Sequence, residues 1–196
     1  MTNELKDIRA FLAIEPSGQV LQAIAREQEK LQREIAGRIS WTKTGGQHLT
    51  LKFFDNISAA DVENIRLVVE KHAARFTPFS LTVEKLGVFP DSHKPRVLWS
   101  NIAGHIGEIT ALQAALDEDF EAIGFARDHR PYKPHLTLAR IKTLQAIGGI
   151  SPVLGRHNHF QAGEFVVREL ILFQSRLSPQ GAVYSKLAAF PLAGCS

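Results

Sequence analysis

The tetrapeptide His-Leu-Thr-Leu occurs twice in this chain, at His48–Leu51 and at His135–Leu138. In a β-strand the side chains at positions i and i+2 share a face, so each copy predicts a strand with His and Thr on one face and both leucines on the other. The leucine face needs a core to cover it, whereas the polar face is free to line a site. Two copies therefore predict two equivalent strands that contribute to one site.

The two motifs belong to a longer repeat. They lie 87 residues apart, and the residues 39 positions before each histidine, Arg9 and Arg96, both begin an apolar segment. In each copy this segment predicts a strand, and the apolar residues after it follow helical spacing. We expect an α+β fold of two pseudo-symmetric lobes, each an antiparallel sheet flanked by helices, with the two motif strands at a central cleft. The prediction is one bilobal domain over residues 1–196, with repeats at approximately 9–89 and 96–176 whose elements can be exchanged between the lobes.

The remaining segments complete this pattern. A further helix is predicted to start at Ser58, where Ser-Ala-Ala-Asp resembles a capping box. The Gly- and Pro-containing residues 142–158 predict a short helix or a loop. Additional strands are predicted at 79–89, 96–102, 160–175 and 182–190.

Composition limits the classes of protein to which this chain can belong. The formal net charge is +3, which permits an anionic ligand without demonstrating one. No apolar stretch is long enough to span a bilayer, and Met1–Asp7 lacks the pattern of a signal peptide. The single cysteine, Cys195, allows neither a disulfide nor a cysteine-based metal site within the chain. We therefore predict a cytoplasmic protein with no membrane association.

A pair of histidines across a cleft suits a displacement at phosphorus. Imidazole titrates near neutral pH, so one ring can accept the proton of an attacking water or hydroxyl while the other donates a proton to the leaving oxygen. The hydroxyls of Thr50 and Thr137 can donate to the phosphate oxygens, because threonine positions a group but does not transfer protons at neutral pH. The residues leave open which histidine donates. This chemistry requires no metal and no cofactor.

Other side chains near the motifs are candidates for binding substrate. Strict alternation places Lys52 on the same face as His48 and Thr50, but places Arg140 on the opposite face unless the second strand twists or ends there. Further basic residues flank the motifs at Lys43, Arg130 and Lys133. Candidates for stacking on a base are Trp41, Phe11 and Tyr132.

The sequence resembles the 2H phosphoesterase superfamily and, within it, the bacterial and archaeal RNA 2′,3′-cyclic phosphodiesterases, also called 2′-5′ RNA ligases. The resemblance covers nearly the whole chain. The matching segments are Arg9–Ile14, His48–Phe53, Gly87–Pro90, Pro95–Trp99, Pro134–Arg140 and Leu177–Tyr184. The chain departs from its relatives at Asp55, where they commonly have Gly, and at Tyr132-Lys133, where Phe-Arg is common.

The resemblance implies metal-free hydrolysis of a terminal 2′,3′-cyclic phosphate on RNA or a nucleotide, leaving a 2′-phosphate. It implies that His48 is the proton donor to the departing 3′ oxygen and that His135 is the proton acceptor that activates water. Thr50 and Thr137 match threonines that hold the phosphate, and Arg140 matches a position near the substrate. The implied partners are RNA ends or nucleotides with a cyclic phosphate, with no protein partner and a monomeric chain.

Three alternatives stay open. The same chemistry could act on a small cyclic phosphate or a 2′-5′ linked oligonucleotide, with weak reversible 2′-5′ ligation of RNA. A non-catalytic RNA-binding module would keep the cleft without turnover. A metal site is conceivable at His157 and His159, which would share a face of a strand, although no third ligand is suggested nearby.

Overall fold

The computed structural model describes residues 8–145, 149–178 and 181–194, over which the chain forms nine strands and four helices. The strands are β1 (Ile8–Ile14), β2 (Ala36–Trp41), β3 (Leu49–Ile57), β4 (Phe79–Phe89), β5 (Val97–Gly104), β6 (His135–Gln145), β7 (Gln161–Val167), β8 (Glu169–Ser178) and β9 (Gly181–Pro191). The helices are α1 (Gly18–Glu34), α2 (Ala59–Ala73), α3 (Ile106–Ala122) and α4 (Ser151–Arg156). Met1–Asp7 and Cys195, on which the predicted location depends, lie outside the described residues.

Local sequence explains where the first two helices begin. The Ser17 hydroxyl accepts a hydrogen bond from the Val20 amide at the start of α1. At the start of α2, Ser58 and Asp61 form the predicted capping box, in which each side chain accepts from the backbone amide of the other residue. These bonds satisfy amides that have no partner within the helix.

The strands form one continuous antiparallel sheet in the order β7-β4-β5-β6-β3-β1-β8-β9, with β2 pairing to β6 outside this path. The connection in the middle is narrow, because β3 and β6 pair at a single register position, Leu49 opposite Leu136. One half of the sheet therefore contains β6 with β2, β5, β4 and β7, and the other contains β3 with β1, β8 and β9. The predicted α+β class with two antiparallel lobes is confirmed.

The helices of the predicted repeats cover the opposite halves of the sheet. Helix α1 follows β1 but packs against β7 and β2, and α3 follows β5 but packs against α2 and β3. Each of these two helices thus packs on the half of the sheet that does not contain the strand before it. This is the exchange of elements between lobes that the sequence prediction allows. The division of the chain into two repeats stays a prediction.

Two stretches differ from the sequence prediction. Strand β2 was not predicted, and the single strand predicted at 160–175 is two strands, β7 and β8. The chain breaks at Arg168 because β7 pairs with β4 in one half of the sheet, whereas β8 pairs with β1 in the other. Within residues 142–158, β6 continues to Gln145 and α4 forms a short helix, while 146–148 lie outside the described residues.

Among the helices that the structure describes, none combines the length and apolar character needed to cross a bilayer.

Candidate active site

The two motifs lie side by side at the centre of the sheet. Continuing the antiparallel register from the pair Leu49–Leu136 places Thr50 opposite His135 and His48 opposite Thr137. Cross-strand neighbours have Cβ atoms about 5 Å apart and diagonal neighbours lie about 7–8 Å apart, so both histidines can reach one phosphate group. The four leucines of the two motifs are buried in the core. The strand faces are therefore divided as the motif predicts.

Each motif strand has a β-bulge at the same place. The second leucine of each motif is passed over in the register with the neighbouring strand: Leu51 in the pairing of β3 with β1, and Leu138 in the pairing of β6 with β5. An extra residue on one strand shifts the alternation of side chains by one position. Beyond each bulge, the face that holds His and Thr is therefore continued by the fifth residue after the histidine. These residues are Phe53 in β3 and Arg140 in β6.

The bulge moves Lys52 to the opposite face, so its predicted place beside His48 and Thr50 is wrong. Its ammonium group forms an ion pair with Asp117 of α3 and donates a hydrogen bond to the Ala126 carbonyl at 2.6 Å. The Lys52 side chain is only 9% exposed. We therefore do not propose a contact between Lys52 and a substrate.

Phe53 takes the place that alternation gives to Lys52. It is 63% exposed and lines the cavity above the motifs. Sequence reasoning missed this residue because no Gly or other signal marks the bulge before it. Arg140 is exposed and lines the same cavity, because its own bulge turns it to that face.

A cavity of about 580 Å³ lies over the two motifs, and we call it the motif cleft. Its polar and aromatic lining residues are Arg9, Phe11, Thr42, His48, Thr50, Phe53, Phe54, Asp55, Phe89, His135, Thr137, Arg140, Ser175 and Tyr184. The volume falls within the range of about 300–1,000 Å³ that is usual for small-ligand sites. The cleft thus brings together both histidines, both threonines and two arginines.

Both histidine rings are held in the same way. The Nδ1 atom of His48 is 3.0 Å from the Gly46 carbonyl oxygen, and that of His135 is 2.7 Å from the Lys133 carbonyl oxygen. Because a carbonyl only accepts, each Nδ1 must donate its hydrogen. In both rings Nε2 is then the nitrogen that remains for proton exchange.

The surroundings of the two rings differ. The His48 ring stacks on Phe11 at 4.4 Å and meets the edge of Tyr184 at 5.2 Å. Burial among these rings lowers the pKa of His48 to about 4, although its bond to the Gly46 carbonyl and the charge of Glu15 act in the opposite direction. The His135 ring meets Phe89 at 5.1 Å in an edge contact. His48 is therefore neutral at pH 7 in the protein without substrate.

Two of the residues predicted as candidates for stacking on a base make other contacts. Phe11 is buried between His48 and Phe173, so it supports the histidine from below and is not free to stack on a base. The Tyr132 hydroxyl donates a hydrogen bond to the Thr50 carbonyl at 3.2 Å. It thereby connects the loop before the second motif to the first motif strand.

The histidine considered as a metal ligand has other partners. The His157 ring contacts Glu27 through Nδ1 at 2.5 Å and Glu34 through Nε2 at 2.8 Å. Burial alone would lower the pKa of His157, but the two carboxylates outweigh it and raise this pKa. Within the described ranges, no group of three His, Cys, Asp or Glu side chains is arranged to hold a metal ion.

Known proteins share this sequence and fold. An RNA 2′,3′-cyclic phosphodiesterase of Methanothermobacter thermautotrophicus is 30% identical over 185 residues, which cover 94% of this chain and 99% of the relative. One from Aquifex aeolicus is 26% identical over 191 residues, covering 97% and 100%. A crystal structure of a Thermus thermophilus protein matches with a TM-score of 0.80 at 26% identity, over 95% of this chain and 98% of that one.

The family model of the 2′-5′ RNA ligase superfamily matches residues 45–178, a range that includes both motifs and the strands between them. This match spans more than half of the chain, and the full-length relatives agree with it. The chain belongs to the 2′-5′ RNA ligase superfamily.

Proposed function

We propose that this protein hydrolyses the terminal 2′,3′-cyclic phosphate of RNA to a 2′-phosphate, without a metal or other cofactor. The observation that carries the proposal is the register of β3 and β6. It places His48 opposite Thr137 and Thr50 opposite His135, and all four side chains line one cleft. The names of the relatives from M. thermautotrophicus and A. aeolicus support the same substrate.

The proposed reaction is a single displacement at phosphorus. His135 Nε2 accepts a proton from water as the water oxygen attacks the phosphorus. The bond between phosphorus and the 3′ oxygen breaks, and His48 Nε2 donates a proton to that oxygen. The products are a 3′ hydroxyl and a 2′ monoester. His135 then releases the proton that it accepted and His48 takes one up, both by exchange with solvent. Two positioned proton carriers of this kind each contribute about 10²–10⁴-fold to such a reaction.

The threonines and Arg140 stabilise the charge on the phosphate in this proposal. Thr50 and Thr137 each lie opposite a histidine, so their hydroxyls can donate to the non-bridging oxygens while the rings act on the attacking and leaving oxygens. Arg140 adds a positive charge at the wall of the cleft. These groups are fixed by the sheet before substrate binds, so little reorganisation is needed.

The proton on His48 must arrive together with the substrate. The resemblance gives His48 the donor role, yet burial keeps its ring neutral above a pH of about 4 when the cleft holds no anion. An anionic phosphodiester beside Nε2 favours the charged form of the ring and offsets the cost of burial. The proposal therefore includes uptake of a proton when the cyclic phosphate binds.

The direct test is incubation of the purified protein with a 2′,3′-cyclic-phosphate oligonucleotide, with separation of 2′- and 3′-monoester products. A 2′-monoester is expected, and formation of a 3′-monoester would contradict the proposed bond cleavage. His48→Ala and His135→Ala should each lower kcat by at least about 10² while the fold is retained. His159→Ala is the control, because His159 is exposed and does not line the cleft. Binding of RNA that is unchanged in both active-site variants, with no product from the wild type, would favour the non-catalytic alternative.

A second activity at the same site is 2′-5′ ligation, which the family description favours. The 5′-hydroxyl of a second RNA would replace water as the nucleophile, with the same bond to the 3′ oxygen broken. Adding an acceptor with a 5′-hydroxyl to the hydrolysis assay tests whether ligated product forms. A cytoplasmic location and a monomeric state belong to this proposal as predictions.

A further inference from the structure

A second cavity adjoins the motif cleft. It has a volume of about 550 Å³, and we call it the flanking cavity. His48 and Arg140 line both cavities, whereas His135 and Thr137 line only the motif cleft. The two spaces thus meet at the first histidine, and the flanking cavity extends away from the second.

Most of the lining of the flanking cavity comes from two segments. One is the stretch from Ser40 to His48, which contains Lys43, and the other is the part of β9 around Val183. Glu15 also lines the cavity and forms an ion pair with Lys186. That pairing offsets the charge of Lys186. Neither Lys43 nor Arg140 takes part in an ion pair among the residues described.

The flanking cavity also has apolar surface that faces solvent. Val183 is 53% exposed and Tyr184 is 38% exposed, and both line the flanking cavity. Unpaired cations beside exposed rings and aliphatic groups are the combination that binds single-stranded nucleic acid, through its phosphates and the faces of its bases.

We propose that the flanking cavity binds the nucleotide that precedes the terminal one. This inference rests on the proposed function and narrows its substrate to oligonucleotides. The motif cleft holds the terminal ribose with its cyclic phosphate, and Lys43 contacts the phosphodiester that joins the last two residues. The base of the preceding nucleotide lies against Val183 and Tyr184.

The volumes of the two cavities and the charges of the substrates support placing the two nucleotides in separate cavities. Each cavity alone is within the range of about 300–1,000 Å³ for small-ligand sites, so the motif cleft has room for one nucleotide without the flanking cavity. A free cyclic mononucleotide has no charge to place beside Lys43 once its phosphate lies between the histidines. A dinucleotide has one more phosphate and one more base, and the flanking cavity offers a cation for the first and apolar surface for the second.

The test compares a cyclic-phosphate dinucleotide with a cyclic mononucleotide that has the same terminal base. Wild-type kcat/KM should favour the dinucleotide by at least about tenfold, as expected from one more stacked base. Lys43→Ala should lower kcat/KM for the dinucleotide by about fivefold, the effect of one solvent-exposed ion pair, and should leave the mononucleotide within about twofold. Arg33→Ala is the matched control, because Arg33 is exposed on α1 and lines neither cavity.

A second variant tests the other segment without removing any contact of the core. Val183→Glu places a negative charge in the flanking cavity and should lower kcat/KM for the dinucleotide selectively. Val166→Glu is its control, since Val166 is 42% exposed on β7 and lines neither cavity. Equal losses for both substrates would overturn the inference, because the flanking cavity would then receive the terminal nucleoside. Equal wild-type rates for both substrates would also overturn it, whereas hydrolysis of neither would instead overturn the proposed function.

Discussion

A buried pair of glutamines connects the two halves of the active site. The Gln28 amide on α1 donates to the Thr42 carbonyl at 3.1 Å and to the Leu138 carbonyl at 2.9 Å. Its oxygen accepts a hydrogen bond from Gln47 Nε2 at 2.8 Å. Gln47 directly precedes His48, and Leu138 directly follows Thr137. Gln28 therefore holds both motifs in one arrangement from below the sheet.

We predict that Gln28→Met, which keeps the length of the side chain, destabilises the protein by roughly 2–5 kcal/mol. The Leu138 carbonyl keeps a partner, because the Thr42 amide also donates to it at 2.9 Å. The buried Gln47 amide group loses its partner at a cost of about 1–3 kcal/mol, and the part-buried Thr42 carbonyl loses one at a cost in the lower part of this range. The Gln47 side chain has no other hydrogen bond that would remain, since its Oε1 is without a partner among the described residues.

The assay is urea denaturation followed by circular dichroism, with kcat measured on the folded fraction. In the double variant Gln28→Met/Gln47→Leu the orphaned amide is gone, so it should be more stable than Gln28→Met by about 1–3 kcal/mol. If the losses in the free energy of unfolding of the two single variants simply add in the double variant, the hydrogen bond between the glutamines is not the source of the effect. A stability of Gln28→Met within about 0.5 kcal/mol of wild type, the size of a neutral surface change, would refute the reasoning altogether.

Three further perturbations test the site and its support. Lys52→Met should destabilise the fold by about 3 kcal/mol, because it leaves the Asp117 carboxylate unpaired. The kcat of the folded enzyme should stay within about twofold of the wild-type value. Loss of activity without loss of stability would instead indicate that Lys52 contacts the substrate. The free energy of unfolding of the wild type should decrease as the pH falls from about 6.5 to about 4, because the unfolded chain protonates His48 over this range and the folded chain does not. Urea titrations at pH 7 and pH 4.5 should show a smaller decrease for His48→Gln, and equal decreases would argue against a buried neutral ring. Activity should persist after dialysis against EDTA, and loss that added zinc or magnesium restores would reject metal-free chemistry.

The periodic segments of the fold were predictable from sequence because local patterns determine them. The helical spacing of the apolar residues after the first strand, which include Val20, Ile24 and Leu31, predicts α1, and the Ser58 capping box predicts the start of α2. Strand β2 was missed because its residues are mostly exposed and include a glycine, so it has no alternation that could be recognised. It becomes a strand only by pairing with β6, a contact more than 95 residues away in sequence. No Gly or Pro marks the break at Arg168 either, and that break depends on which strands β7 and β8 reach.

The site was predictable as far as the strict period of a strand holds. His48 and Thr50 share a face, as do His135 and Thr137, because they precede the bulges. Beyond Leu51 and Leu138 the alternation fails in both strands at once. Nothing in His-Leu-Thr-Leu specifies a bulge, so Lys52 was placed on the wrong face and Phe53 was overlooked.

The two motifs have the same local backbone, with a bulge at the second leucine of each, and the asymmetry that chemistry needs comes from distant strands. Both rings use Nδ1 to bind the carbonyl two residues before them, so neither motif differs locally in which nitrogen is free. His48 differs because Phe173 of β8 and Tyr184 of β9 close around it together with Phe11, and its pKa falls to about 4. A lowered pKa by itself favours the acceptor role, so the donor role proposed for His48 requires the anionic phosphate to raise this pKa when the substrate binds. In a site with two identical motifs, the residues packed around each histidine and the charge of the bound phosphate together decide which ring donates a proton.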